Sequence, residues 1–299
     1  MQSLKSSYVT LKNGEKLFYQ YRKGSRDPLI LIHGNLFSSA IFEPLIHRLD
    51  NDLTLYAIDL RGFGKSSYEN EAKEVKDYTL DVKNFIEHLS LKNVNVLGLD
   101  FGALIAMRLG VDHKALINTL LLISSYSVAG RSIKKRKLGG LIKSKAPIQR
   151  LDELKKYVEP VEKYKHKNQR WFIKQMLNKD VFTTDKPLDT LYEKLIDAFI
   201  AQRNLAEVYY AMTYFNIFSD DNGVVEGEHK AKTLNMPILS IHGDKNEAIP
   251  AGVAKFNERA IGKNVETHIL NGVSHVPFID DDKYVADLMM TFLDKHSKK

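Results

Sequence analysis

From residue 7 to 125 the chain alternates two hydrophobic patterns, and this alternation restricts the fold more than any other feature. PLILIHG (28–34), LTLYAIDL (53–60) and VNVLGL (94–99) are short, nearly continuous apolar runs with no polar face. Between them, IFEPLIHRL and DYTLDVKNFIEHLSL place apolar residues at helical spacing, with Tyr78, Val82, Phe85 or Ile86, and Leu89 on one face. A strand that is apolar on both sides must be covered on both sides. The pattern therefore predicts an α/β class fold, a mostly parallel sheet flanked by helices. Ahead of it, YVTLKNGEKLFYQYR reads as a hairpin turning at Asn13-Gly14.

The alternation stops after LINTLLLISS. Residues 126–235 read as helical, charged and tyrosine-rich, without a strand pattern, until MPILSIHGD (236–244) resumes the buried-strand signal. VETHIL, NGVSHVPF and the helical DKYVADLMMTFLDKH close the chain. The expected organisation is a sheet core of residues 1–125 and 236–299 carrying a helical cap inserted at 126–235. A chain of 299 residues with 43% hydrophobic content is long enough for one large core plus such an insertion.

Composition removes several function classes. With no cysteine, disulfides, thiolate metal ligands and a cysteine nucleophile are all excluded. The apolar runs are too short for a membrane span, and MQSLKSSYVT lacks the apolar core of a signal peptide, so a cytoplasmic protein with no membrane span is expected. The net charge of +7 comes with lysines concentrated in KKRK (134–137), KSK (143–145), KK (155–156) and KYKHK (163–167). Aromatics are sparse among them, which favours a solvated, lysine-rich helical surface over a nucleic-acid partner. The histidines show no metal-ligand spacing, so no metal is expected; His33 and His242 end strands and read as structural or pocket-lining.

Chemistry concentrates at GLDFG (98–102), where a strand runs into two glycines bracketing Asp100 and a helix pattern follows. A strand-turn-helix of this kind places its central side chain on a sharp turn, with glycines where strand and helix approach too closely for side chains. HGN (33–35) ends an upstream strand, so the N–H groups of Asn35 and of Phe101 are candidate oxyanion donors. GVSHVPF places His275 after the last strand, as a candidate general base. RGFGKSS (61–67) ends like a phosphate-binding loop, but Asp59 stands where that loop needs a glycine.

Taken together, LILIHGN, AIDLRGFGKSS, LGLDFGALIA, SIHGDKNEAIP and GVSHVPFID resemble the alpha/beta hydrolase fold over essentially the whole chain. The resemblance implies a cofactor-free hydrolase acting on a small substrate. The elbow aspartate resembles epoxide hydrolases and haloalkane dehalogenases, whereas AIDLRGFGKSS, LLLISSYSVAG and FNIF look more like small intracellular esterase-like members that carry serine there. The two differ in chemistry. A carboxylate attacking an ester carbonyl gives an unstable mixed anhydride; attack on an epoxide or halide carbon gives an alkyl ester that histidine-activated water hydrolyses. Asp100 as nucleophile and His275 as base on a small apolar substrate are therefore expected.

The remaining site residues divide the options. Haloalkane dehalogenases usually carry tryptophan after the nucleophile, where Phe101 stands, while the single tryptophan, Trp171, lies in the insertion as a pocket candidate. Tyr209, Tyr210 and Tyr214 are available in the insertion to protonate an epoxide oxygen, which favours epoxide over halide. The position where the family has its catalytic acid is occupied by Asn246, with Asp244 and Glu247 near enough to substitute. Two alternatives stay open: a ligand-binding protein on a hydrolase scaffold, with Asp100 pairing with His275, or a serine-type esterase whose nucleophile is replaced by aspartate. Oligomeric state is left open by the sequence.

Overall fold

The computed structural model describes residues 4–137 and 142–297. Eight strands form one sheet in the order β1-β2-β4-β3-β5-β6-β9-β10. These are β1 (Lys5–Thr10), β2 (Lys16–Arg22), β3 (Arg26–Ile32), β4 (Leu53–Ile58), β5 (Val94–Leu99), β6 (Ile117–Ile123), β9 (Ile238–Gly243) and β10 (Val265–Leu270). The expected hairpin forms: β1 and β2 pair antiparallel, with Gly14 at φ 86° in the turn. β2 also runs antiparallel to β4, and every later pairing is parallel.

The unbroken apolar character of the central strands follows from burial on both faces. Along β3, Ile30 and Ile32 join one core cluster with Tyr78, Val82 and Phe85 of α2 (Val75–His88) and Leu104 of α3 (Phe101–Asp112). Leu29 and Leu31 join the other, with Leu45 and Ile46 of α1 (Glu43–Arg48) and Val285, Met289 and Phe292 of α10 (Asp282–Lys295). The helix α8 (Gly252–Ile261) lies on the α2 side through Ala260 and Ile261, and the short α9 (Pro277–Asp280) on the α10 side through Phe278. RGFGKSS is the turn after β4, where Arg61 makes a buried two-pronged ion pair with Asp81.

Between β6 and β9 come α4 (Leu151–His166), α5 (Arg170–Asp180), α6 (Asp189–Ala201) and α7 (Leu205–Tyr214). Their apolar faces join the sheet's own clusters: Ile173, Leu195 and Phe199 pack with the α1 side, and Val208 and Met212 with the α2 side. A small third cluster, with Leu154 and Val158 of α4 against Leu205 and Ala206 of α7, holds the helices together.

The segment departs from the sequence expectation in two respects. β7 (Lys134–Lys137) and β8 (Ile142–Pro147) form an antiparallel pair, so KKRK and KSK lie on strands and only the later lysine groups lie on a helix. In IKSKAP, Ile142, Ser144 and Ala146 alternate with lysines at the two-residue strand period, a weak signal obscured by the density of lysine. Lys165 also departs from a solvated role: it is buried, bonding Glu162 and the backbone oxygen of Gln202. Among the described residues, no helix is long and apolar enough to cross a membrane.

The strand-turn-helix at β5 and α3 is as close as GLDFG implies. A Cβ on Gly98 would stand 2.3 Å from the Gly102 carbonyl oxygen, and one on Gly102 would stand 2.2 Å from the Ile32 carbonyl oxygen. Because the obstructing atoms are backbone, relief requires moving a strand. Gly98→Ala and Gly102→Ala are each expected to lower stability by about 1–3 kcal/mol or more, read as a lower urea midpoint with unchanged slope.

Candidate active site

Asp100 is the one residue between β5 and α3, and it adopts φ 55°, ψ −115°. A non-glycine residue in such a conformation costs on the order of 1–3 kcal/mol and persists only where its surroundings enforce it. Here the Asp100 N–H donates to Ile123 O at 3.0 Å, and the Ala103 N–H donates to Asp100 O at 3.1 Å. The turn aims the carboxylate at two backbone donors. Its Oδ1 accepts from the Phe101 N–H at 2.6 Å and from the Asn35 N–H at 2.9 Å.

The loop carrying Asn35 is held from the opposite side by Gln202, which follows α6. Gln202 Nε2 donates to Asn35 Oδ1 at 2.8 Å, and the Leu36 N–H donates to Gln202 Oε1 at 3.1 Å. Sequence reasoning missed Gln202, because a lone glutamine far along the chain carries no motif.

His275, in the loop after β10, brings its Nε2 to 3.3 Å from Asp100 Oδ2. Its Nδ1 lies 3.1 Å from Asn246 Oδ1. The orientation of that amide follows from its other partners: Oδ1 accepts from the Ile249 N–H at 2.9 Å, and a backbone N–H can only donate. His275 therefore carries a proton on Nδ1 and turns Nε2 toward Asp100. Asn246 Nδ2 donates to Ser124 Oγ at 3.2 Å, completing the bracket.

Asp244 and Glu247 do not share this position. Asp244 is exposed and accepts from the Gly272 N–H while pairing with Lys245; Glu247 is exposed as well. Both diverge because the loop after β9 turns only Asn246 inward. Burial raises the Asp100 pKa, but His275 and the two backbone N–H groups more than offset it, leaving the carboxyl below its ordinary value.

Two residues that the sequence did not single out complete the surroundings. Tyr126, three residues beyond β6, lies within electrostatic reach of Asp100, and its hydroxyl accepts from Arg131 Nη1 at 2.5 Å. Burial holds its phenol protonated, with a pKa well above the ordinary value. Its signal was present in ISSYS, a stretch that stands out for its lack of a carboxylate rather than for its tyrosine. Tyr209 also feels Asp100 and Arg131, and burial pushes its pKa up to about 12.

The other expected pocket residues lie elsewhere. Tyr210 and Tyr214 stack at 4.4 Å between ring centroids and line a separate cavity of about 180 Å³ with Glu74, Arg108 and Glu228. Successive residues on α7 are turned about 100° apart, so Tyr209 and Tyr210 cannot share a face, while Tyr214 follows Tyr210 by four residues and does. Trp171 on α5 is 73% exposed.

His33 and His242 are buried and neutral. His33 Nε2 accepts from the Leu60 N–H at 3.1 Å, and His242 Nε2–H donates to Ile249 O at 2.7 Å. Burial depresses both pKa values, that of His242 to about 4. The unfolded chain binds this proton more readily, so the His242 contribution is complete above the unfolded value near 6.5 and is lost as pH falls toward 4. From pH 7 to pH 5 this one group should cost about 2 kcal/mol. In chemical denaturation, His242→Gln should flatten the pH dependence of stability over that interval by a similar amount.

Known proteins share the fold of this chain. The uncharacterized hydrolase YugF of Bacillus subtilis (strain 168) is 25% identical over 252 residues, 81% of this chain and 82% of that protein. A soluble epoxide hydrolase of Corynebacterium sp. (strain C12) is 31% identical over 111 residues, 37% of this chain and 38% of that protein. The solved structure of the epoxide hydrolase CorEH superposes with a TM-score of 0.75 at 18% identity, covering 98% of this chain and 99% of the other. The family pattern described as alpha/beta hydrolase fold matches residues 27–282, and the chain belongs to that family.

Proposed function

We propose that the protein is a hydrolase that opens an epoxide through an alkyl ester on Asp100. The observation that carries this reading is the division of labour within one carboxylate. Oδ1 rests in the N–H cradle of Asn35 and Phe101, and Oδ2 faces His275 Nε2. In the first step Oδ2 bonds to an epoxide carbon, the ring C–O bond breaks, and the released oxygen takes a proton from Tyr126 or Tyr209, the phenols that burial holds protonated and that feel the Asp100 charge. In the second, a water gives its proton to His275 Nε2 and attacks the Asp100 carboxyl carbon. The negative charge then develops on Oδ1, where the two N–H groups already point. Collapse breaks the bond between the carboxyl carbon and the substrate oxygen, which takes the proton of the new Asp100 carboxyl group and leaves as the diol, and the His275 proton restores the phenol. A halide would need no proton donor, so the buried phenols favour the epoxide.

Asn246 sets the balance between the steps. Its oxygen holds the tautomer that leaves Nε2 as base, but an amide cannot neutralise the imidazolium that forms during hydrolysis. Alkylation should therefore outrun hydrolysis. In single turnover with an epoxide panel in oxygen-18 water, intact-protein mass should show an ester that accumulates, and the label should appear in Asp100. Asn246→Asp should speed its breakdown by roughly tenfold or more, and Asp100→Ala should abolish ester and label.

The same neutral partner favours a second reading, a ligand-binding protein without turnover. Tight binding of epoxides with neither ester nor label in the wild type would establish that reading and sink the hydrolase.

A further inference from the structure

We infer that Arg131 receives a carboxylate on the substrate, so that the ligand is a small anionic epoxide rather than an apolar one. That the ligand is an epoxide rests on the alkyl-ester chemistry proposed for Asp100; the receptor itself rests on the geometry of Arg131.

Arg131 is a fixed cation. Gly130, at φ 74°, closes a turn in which its N–H donates to Ser127 O at 2.8 Å, and a Cβ there would stand 2.2 Å from Phe215 O. The Arg131 N–H donates to Met212 O at 2.9 Å, and its carbonyl accepts from Thr213 Oγ1 at 3.3 Å, which ties the backbone to the end of α7. The guanidinium carbon sits 4.9 Å from the Tyr126 ring centroid. Among the described residues the guanidinium makes one hydrogen bond, to Tyr126 Oη, and has no carboxylate within ion-pair distance. A guanidinium presents five N–H donors in a planar fork suited to a carboxylate.

Charge balance gives this fork a task. In the resting site the Arg131 guanidinium is held charged by Tyr126 first and by Tyr209 and Asp100 more weakly. Asp100, however, already receives the Asn35 and Phe101 N–H groups and faces His275. A cation with no carboxylate paired to it is costly in a largely buried site. A substrate bringing its own carboxylate supplies that partner.

The test uses propionate as a non-reacting probe, with Asp100→Asn standing in for the neutral ester, and calorimetry as the readout. Asp100→Asn should bind propionate about tenfold or more tightly than wild type, because a buried carboxylate no longer repels it. Adding Arg131→Met should remove about tenfold or more of that affinity, and adding Arg131→Lys, which keeps the charge and loses the fork, should weaken it severalfold. Circular dichroism verifies folding; if Arg131→Met does not fold, the Arg131→Lys comparison decides. Propionate affinity unchanged by the Arg131 variants, or no propionate binding in Asp100→Asn, overturns the inference. Turnover of glycidate and glycidol separates the two proposals. Arg131-dependent propionate binding without turnover of either epoxide leaves the receptor standing and removes the hydrolase, whereas turnover of glycidol with no Arg131-dependent binding does the reverse.

Discussion

The site depends on the contact of three backbone segments at the end of the sheet, where β3, β5 and the start of α3 meet with no room for side chains. Gly34, Gly98 and Gly102 line that contact; a Cβ on Gly34 would stand 2.6 Å from the Asp100 Cβ. Because the segments touch, the N–H groups of Asn35 and Phe101 converge on one point, and Asp100, strained at φ 55°, places one carboxylate oxygen there. Remove the closeness and the two donors no longer meet. The large apolar clusters on each face of the sheet serve the site indirectly, by holding β3 and β5 at this separation.

Around that point the charges are arranged asymmetrically. One carboxylate is faced by His275 and lies within electrostatic reach of the Tyr126–Arg131 pair, and the group behind the histidine is a neutral amide. In a serine-based arrangement the negative charge would sit behind the histidine and the nucleophile would be neutral. Here the negative charge has moved to the turn. The depressed pKa of Asp100 is the direct consequence, since its donors outweigh its burial. A carboxylate so held is a poor base and stays ionised, which suits a nucleophile toward saturated carbon and suits equally a fixed anion in a binding site.

The segment between β6 and β9 contributes more than cover. Gln202 fastens the Asn35 loop, Lys165 fastens the Gln202 backbone, and the end of α7 fastens Arg131. These links join the donors on the sheet to the helices above it, so a shift in α6 or α7 would be felt at the Asn35 N–H. Tyr210 and Tyr214, by contrast, face a different cavity with Arg108 and Glu228, and their stacking serves that surface.

What the sequence determined by itself was everything governed by local pattern. The hairpin at Asn13-Gly14, the doubly buried strands, the glycines around Asp100, and the order of Asn35, Asp100, Asn246 and His275 along the chain are all properties of short stretches. The strand pair at 134–147 was nearly illegible, because lysine masks a two-residue alternation whose apolar members are few. Tertiary structure alone decided which groups touch. Asp244 and Asn246 are two residues apart, yet only Asn246 reaches His275; Tyr209 and Tyr210 are adjacent, yet only Tyr209 is near Asp100. Tyr126 and Arg131 carry no motif, and their meeting with Asp100 depends on a turn docked against α7. Hydrophobic periodicity is written along the chain, whereas the meeting of polar groups depends on the direction of each side chain after packing, which no short stretch encodes.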